Sequence, residues 1–482
     1  MKTFLNAHIT ITVVSILLSL MMRAQITTFQ KIYPAIQNQS GIDVLPTPDG
    51  GYLIAGTTED SIPNDVDIKI VKTNSHGDTL WTKRYGGSRP EYPTNMLATN
   101  DGNYFIVGGS QSFGSGDLDV YLLKIDPYGN MIWTKTYGGS GNEDGNEIVA
   151  SADGNYVIVG GSNSANLSHN AAQLTKVDPA GNLIWMKYYG GSGIESARSV
   201  KLCSDGGFII AGNSASTYTS LTQVFVVKTT ATGDTLWTQK YGGPDSYDGK
   251  SILVNNDGTY TLALDDSSGS RDSDVRIMKL SSTGTILWNH AYGGIKKDIS
   301  KTIQHTTDGG YIVACISRSF GWINPDFWLL KLNAMGDTTW TRHYGGSGHE
   351  HCYGARQTSD GGYVAIGHSK SYSPNTEIMF VKLDTAGNIN ITSEIKKFLA
   401  SNLLNVYPNP SADGVVSIDF GEEIAASILK ISNGMGQEVC TKKIEANSNK
   451  NILIDLADKP KGIYWVQIIS ENRKESKKII IE

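Results

Sequence analysis

The sequence predicts an all-β chain, a seven-bladed β-propeller followed by a small Ig-like β-sandwich. Three observations carry that expectation. The phrase Trp-x-x-x-Tyr-Gly-Gly returns at Trp81, Trp133, Trp185, Trp237, Trp288 and Trp340, at spacings of 52, 52, 52, 51 and 52 residues. An Asp-Gly turn recurs seven times, at Asp49, Asp101, Asp153, Asp205, Asp257, Asp308 and Asp360. After about residue 388 the period stops and a different alternating pattern begins. A period near 50 made of strand-like phrases is the mark of a repeat architecture.

Each unit reads as four short strands. Runs such as Tyr156-Val-Ile-Val and Val120-Tyr-Leu-Leu are β-branched or aromatic and are bounded by Gly-rich turns. Asp-Gly accepts the positive φ that a tight antiparallel hairpin needs. A lysine closes the third strand of every unit, at Lys72, Lys124, Lys176, Lys228, Lys279, Lys331 and Lys382. In an extended strand Trp81 and Tyr85, four apart, project from one face and can pack on the neighbouring unit.

The count of seven depends on how the ends meet. Phe29-Gln-Lys-Ile-Tyr33 is an imperfect fourth strand lying 52 residues before Trp81 to Tyr85. The last unit ends after its third strand, so the N-terminal strand can complete it and remove the open edges. Gly387-Asn-Ile-Asn-Ile391 is the competing candidate for that place.

At 482 residues, with 39% hydrophobic and 18% charged residues, the chain has the composition of folded domains. Lys2, the apolar run Ile9 to Leu20 and Ala24-Gln25 read as a signal peptide over 1–24. Its removal takes away Lys2 and Arg23 and no acid, so the net charge passes from −6 to −8. That charge argues against nucleic acid, and no transmembrane segment is expected in the mature chain. Cys203, Cys315, Cys352 and Cys440 form no CxxC pair, and a disulfide framework is not expected. Cys315 stands where other units carry a small strand-end residue such as Gly212. The organisation is therefore a signal peptide over 1–24, propeller over 25–388, a linker over 389–402 with a helical turn or two at Ser393 to Ala400, and a separate domain over 403–482.

Asp-Gly-Gly-Tyr-Ile-Val-Ala, Val-Lys-Leu-Asp-x-x-Gly and Trp-x-x-x-Tyr-Gly-Gly-Ser resemble the β-propeller repeats of exported bacterial proteins, over about residues 26–388. The tail opens with Val406-Tyr-Pro-Asn-Pro410, continues through Ile428 to Gly436 and Lys461-Gly-Ile-Tyr464 to Ile468, and ends at Lys477 to Glu482. It resembles the type A C-terminal sorting domain of the type IX secretion system of Bacteroidota. That resemblance implies that residues 403–482 are read by the type IX machinery at the outer membrane and removed on export. It implies a secreted or cell-surface address, reached through the periplasm.

Candidate chemistry is sparse. Six residues past most repeat tyrosines stands an acid, namely Glu91, Glu143, Glu195, Asp298 and Glu350, with the Tyr241 unit shifted to Asp248 and Gln39 in the first copy. A ring of acids at one channel mouth could hold a cation or supply the carboxylate pair of glycoside chemistry. The competing reading is that each acid accepts backbone N–H bonds in the turn between blades. It is favoured, because these acids follow the repeat whereas a site is built from residues that break it. The acids Asp65, Asp67, Asp117, Asp119, Asp272, Asp274 and Asp326 enter third strands without a complete calcium-loop spacing and read as solvated turn residues.

Unit six breaks the pattern with Trp322 and Trp328. Trp328 falls within a third strand and reads as core, whereas Trp322 in the loop Phe320 to Pro325 reads as an exposed stacking residue. His349 and His351 flank Glu350, a local cluster able to bind metal or move protons, though no third ligand can be placed. No Gly-x-Ser-x-Gly elbow, phosphate loop or His-Glu-x-x-His motif occurs.

The expectation is a non-catalytic recognition or adhesion scaffold for a glycan or protein ligand, with Trp322, His349, Glu350, His351, Glu143 and Glu195 as candidate binding residues. No catalytic residue, metal ligand or cofactor is assigned. The alternative is a secreted carbohydrate-active hydrolase or lyase using the acidic ring, with a divalent cation as its candidate cofactor.

Overall fold

A computed structural model describes residues 26–59, 65–164, 170–191, 193–215, 221–242, 246–267, 274–320, 324–389, 405–419, 427–433, 437–445, 451–470 and 473–482. The expected signal peptide, most of the expected linker with its helical turn, and Trp322 lie outside the described residues. The chain divides into two compact units, residues 1–390 and 391–482.

The first unit holds seven four-stranded antiparallel sheets. In six of them the strands lie in chain order. In the seventh, the order is Phe29–Tyr33, Glu377–Leu383, Tyr363–Ser369, Glu350–Gln357, so the N-terminal strand pairs with the last third strand, Phe29 opposite Lys382 and Tyr33 opposite Ile378. The first strands of the sheets, here called inner strands, touch in sequence, and that of the seventh sheet touches that of the first. The ring is closed.

Cores form between neighbouring sheets. One cluster joins Leu53, Ile68 and Ile70 of the first sheet to Tyr104, Ile106 and Tyr121 of the second. Another joins Phe29, Ile366 and Phe380 of the seventh sheet to Val44, Tyr52 and Ile54 of the first. Being covered on both faces, third strands such as Asp119–Ile125 are buried at every residue, whereas the fourth strand Met131–Tyr137 is largely exposed. This is why the third strands read as continuous hydrophobic runs and not as alternating ones.

Two side-chain links repeat with the period. The lysine ending each third strand reaches back to the Asp of the first hairpin turn in its own sheet. Lys72 Nζ stands 2.7 Å from Asp49, and the other six pairs span 2.7 to 3.1 Å. In most copies the lysine is nearly buried and the aspartate about half exposed. The second link joins sheets. The repeat tyrosine donates its O–H to the carbonyl of the turn glycine in the next sheet, as in Tyr85 to Gly129 (2.6 Å), Tyr137 to Gly181 (2.7 Å) and Tyr189 to Gly233 (2.7 Å). Tyr241, Tyr292 and Tyr344 repeat it on Gly284, Gly336 and Gly387. The turn glycine has φ near +77° at Gly129, and a Cβ there would stand 2.8 Å from the Trp81 ring. The Trp–Tyr pair of one sheet thus grips the turn of the next.

The second unit has a three-stranded sheet, Asn405–Tyr407, Val415–Asp419 and Asn451–Asp455, and a four-stranded one ordered Glu438–Ile444, Ser427–Asn433, Gly462–Ser470, Arg473–Ile481. Val416 and Ile418 of the first sheet share one buried cluster with Leu429, Ile431, Val466 and Ile468 of the second. The alternation of these pairs places one face of each sheet inward. Cys203, Cys315 and Cys352 are buried, Cys440 is half-buried, and all four are free.

Candidate functional site

The acids of the expected ring stand at the start of inner strands, and they are buried. Glu91, Glu195, Asp298 and Glu350 expose no surface, and Glu143 is 1% exposed. In Glu143, Oε2 accepts the Gly139 N–H at 2.8 Å, while Oε1 accepts the Ser162 hydroxyl at 2.8 Å and the Ser164 N–H at 3.2 Å. Glu91 repeats this with Gly87, Ser110 and Ser112, and Glu350 with Gly346, Ser369 and the hydroxyl of Ser371. Asp298, one methylene shorter, accepts from the N–H groups of Gly294, Arg318 and Ser319. Glu195 takes Gly191 N–H, the Ser214 hydroxyl and Lys240 Nζ at 3.2 Å. Each acid ties the Tyr-Gly-Gly turn to the sheet it enters.

The glycines of that turn are explained by the same packing. A Cβ on Gly138 would lie 2.2 Å from Asp119 Oδ1 and 2.3 Å from Glu143 Oε2, and one on Gly139 would lie 2.7 Å from Ser164 Cβ. Asp119 therefore enters its third strand beside Glu143, buried and not solvated, and burial followed by the Glu143 charge raises its pKa. Asp67 likewise is buried, bound to Arg84. The expectation that the aspartates entering third strands are solvated is corrected at Asp65, Asp67, Asp119 and Asp326, all buried, and holds at Asp117, which is exposed. Asp272 lies outside the described residues.

Asp248 departs from the ring. It lies opposite Asp265 in the sheet and contacts Lys250, Arg198 and Asn213. His349 is exposed. His351 points away from Glu350, as strand neighbours do, and its ring lies 4.7 Å from that of His368 and 6.2 Å from that of Tyr353. Burial, with the nearby Lys301, pushes the His351 imidazole down to about 4, and burial with His351 takes His368 to about 3. Both are neutral at pH 7. Among the described residues no group of three or more His, Cys, Asp or Glu is placed to hold a metal ion. Trp328 is buried, its indole N–H donating to Thr341 and its ring stacked on His343.

What the sequence reasoning missed is a cavity of about 320 Å³ on the axis of the seven sheets. Every inner strand carries a β-bulge at the same place, which leaves one residue unpaired. These residues are Ile42, Thr94, Asn146, Arg198, Lys250, Lys301 and Tyr353. All seven line the cavity. A bulge bends its strand and re-aims the extra residue. The residue before it is small in each case; at Gly41 a Cβ would stand 2.6 Å from Ile366 of the preceding sheet. Close packing on one side and projection into the axis on the other thus arise from adjacent positions.

The position after the bulge stitches the ring. Asp43 accepts the Met96 N–H at 2.9 Å, Asn95 the Ile148 N–H at 3.2 Å, Glu147 the Val200 N–H at 2.8 Å and Ser199 the Ile252 N–H at 3.2 Å. Arg356 closes on Asp43 at 3.0 and 3.1 Å. The lining charges are four cations, Arg198, Lys250, Lys301 and Arg356, and two carboxylates, Asp43 and Glu147. That is a net positive lining in a chain of net charge −6. At this register the residue differs between most units, but so do the residues two before and one after it, so the sequence carries no mark specific to the cavity.

Comparison with known proteins adds an address. Residues 405–482 match the family described as secretion system C-terminal sorting domain. The chain is 23% identical over 181 residues to the regulatory protein FlaEY of Caulobacter vibrioides, covering 32% of this chain and 19% of that one. It is 24% identical over 225 residues to an uncharacterized WD repeat-containing protein, L264, of Acanthamoeba polyphaga mimivirus, covering 36% and 16%. It thus spans under a fifth of the length of the curated relatives it matches. Among solved structures, an α-L-arabinanase of Penicillium chrysogenum complexed with arabinobiose is similar at 12% identity and TM-score 0.45, covering 74% of this chain and 98% of that one. The β-propeller domain of the trilobed protease of Pyrococcus furiosus is similar at 10% identity and TM-score 0.42, covering 74% and 98%. Neither likeness bears on activity. Among the described residues no helix is long and apolar enough to cross a membrane.

Proposed function

We propose that this chain is an exported, seven-bladed β-propeller over residues 25–388 that serves as a non-catalytic recognition module, with the ligand seated in its axial cavity. Residues 1–24 are its signal peptide, 389–402 its linker, and 403–482 an Ig-like sorting domain handled by the type IX secretion machinery of a member of the Bacteroidota. The mature protein works at the cell surface or in the medium.

One observation carries the reading: the seven bulged residues, one from each inner strand and of differing chemistry, all line a single cavity. A repeated framework that brings side chains of differing chemistry together in one cavity has the form of a binding site on a rigid scaffold. The alternative hydrolase reading draws less support, since both oxygens of Glu143, Glu195 and Glu350 are engaged by protein donors. His349 and His351 are not among the residues lining the cavity; with Trp322, which lies outside the described residues, they stay candidates from the sequence alone.

The test is a glycan and small-molecule screen of the mature chain by thermal shift and calorimetry, with product release followed in parallel. Ile42→Trp, which fills the cavity, is expected to abolish binding and leave the melting temperature unchanged. Binding that survives the plug, or turnover lost in Glu350→Gln, would overturn the proposal.

A further inference from the structure

One sector of the axial cavity has a composition of its own. Arg198, Lys250 and Lys301 are the bulged residues of three successive inner strands, so three cations enter the cavity side by side. Two carboxylates stand behind them. Lys250 Nζ is 3.3 Å from Asp265 and closer to Asp248, and Arg198 Nε is 3.6 Å from Asp248. Asp265 is occupied further by Ser300, which donates from both its N–H (2.7 Å) and its hydroxyl (2.8 Å). Lys301 has no ion pair among the described residues. Its ammonium group lies 5.4 Å from the centroid of the Tyr353 ring. Next to it, the Thr302 hydroxyl is buried with no hydrogen-bond partner.

An ammonium group with no ion pair of its own, beside two other cations that share the nearest carboxylates, and in a partly buried cavity, is electrostatically incomplete. Burial, and after it the Lys250 charge, lowers the Lys301 pKa, and the nearby Asp265 and Asp248 offset this only in part. A bound oxyanion would supply it through charge-assisted hydrogen bonds, with Arg198 able to offer a planar pair of donors. The remaining wall offers Asn146, Gln304, the half-buried ring of Tyr353, and two carboxylates already paired, Glu147 with Lys201 and Asp43 with Arg356. Such a set suits a hydroxylated ring that carries one anionic group. The volume of about 320 Å³ lies at the small end of ligand pockets, which run from about 300 to 1,000 Å³.

We propose that Arg198, Lys250 and Lys301 form an oxyanion subsite that takes the carboxylate or sulfate ester of a small anionic saccharide, with Tyr353 against the sugar ring. This rests on the reading of the axial cavity as the binding site, and it adds the class of ligand.

Calorimetry on the mature chain with glucuronate, galacturonate, glucose 6-sulfate, glucose and galactose tests both at once. An anionic sugar is expected to bind at least tenfold more tightly than its neutral counterpart, and Lys301→Met and Arg198→Met are each expected to cost tenfold or more. Neither variant should shift the melting temperature of the free protein, since Lys301 has no ion pair to lose and Arg198 only a long one. The two anionic arms separate carboxylate from sulfate. Equal binding of neutral and anionic sugars, abolished by Ile42→Trp but not by Lys301→Met, would overturn the oxyanion subsite and keep the cavity. Binding of no sugar in the panel, or binding indifferent to the plug, would overturn both.

Discussion

The phenol of Tyr33 donates a hydrogen bond of 2.8 Å to the carbonyl of Gly77, and that contact joins the last sheet of the ring to the first. Six other tyrosines make the same bond between consecutive sheets, but this one spans the seam where the chain's two ends meet. Phe29, four residues earlier, lies edge-on to Phe380 at 5.2 Å and to Tyr52 at 6.4 Å. The ring is thus closed by the repeat's own Trp–Tyr device, with Phe29 in the place of the tryptophan.

Tyr33→Phe keeps the ring and removes the bond, so it should lower unfolding free energy by about 1 kcal/mol. Deleting residues 26–33 strips a whole strand from the third strand Glu377–Leu383 and exposes an edge. Urea unfolding should show the small loss for the point variant, and light scattering should show association for the deletion. A deletion variant that stays monomeric and equally stable would contradict closure by this strand.

The Lys–Asp link predicts an acid-sensitive contribution. Asp49 and Asp308 are both held near 2; burial opposes this, and the hydrogen bonds from Lys72 and Thr47, and from Lys331 and Thr306, outweigh it. A carboxyl whose folded pKa is depressed stabilises the protein above its unfolded value, about 3.9, and that stabilisation is lost as pH falls toward 2. The melting temperature of the wild type should therefore fall over that window. Asp49→Asn combined with Asp308→Asn should start lower at pH 7 and fall less. An equal slope in both proteins would remove these pairs from the account.

Gly138→Ala should destabilise the protein by about 1–3 kcal/mol, because the new Cβ enters the space held by Asp119 and Glu143. Gly154→Ala probes a different cause. Nothing lies within 4 Å of a Cβ there, yet φ is +80°, so its cost comes from the backbone alone, about 1–2 kcal/mol. Chemical denaturation of the two variants, and of Gly138→Ala with Asp119→Ala, separates them. Only the loss at Gly138 should be partly recovered by shortening Asp119.

Glu143→Gln tests the buried acids directly. The Gln amide nitrogen cannot accept from Gly139 or Ser162, so about 1–3 kcal/mol of stability should be lost. Ligand affinity measured below the new unfolding transition should not change. A variant that loses binding while keeping its stability would return the acid ring to the site.

Much of the first unit could be read from residue spacing. The seven lysines and seven Asp-Gly turns were visible as lists of positions, and the structure joins each lysine to its aspartate. Trp81 and Tyr85 were expected to pack on a neighbouring unit, and they do so on Gly129. The ring acids illustrate a harder case. Their regular spacing was visible, but whether Glu91 or Glu350 faces solvent depends on Ser110 and Ser369, each 19 residues further on and brought close only by strand pairing.

The axial site was not legible in the same way. A β-bulge shifts by one residue which side chains face the axis, and nothing in the sequence near Lys250 or Lys301 marks where the pairing slips. Asp248 shows the difficulty: counting residues places it with the ring acids, whereas strand pairing sets it opposite Asp265 and against Lys250. The periodic hydrophobic and turn pattern by itself determined that the chain is all-β, repeated, and followed by a distinct tail, because that pattern is local and survives in one dimension. Which charges meet on the axis was decided by the closure of seven sheets, because that juxtaposes residues about 52 positions apart whose interaction has no counterpart in the unfolded chain.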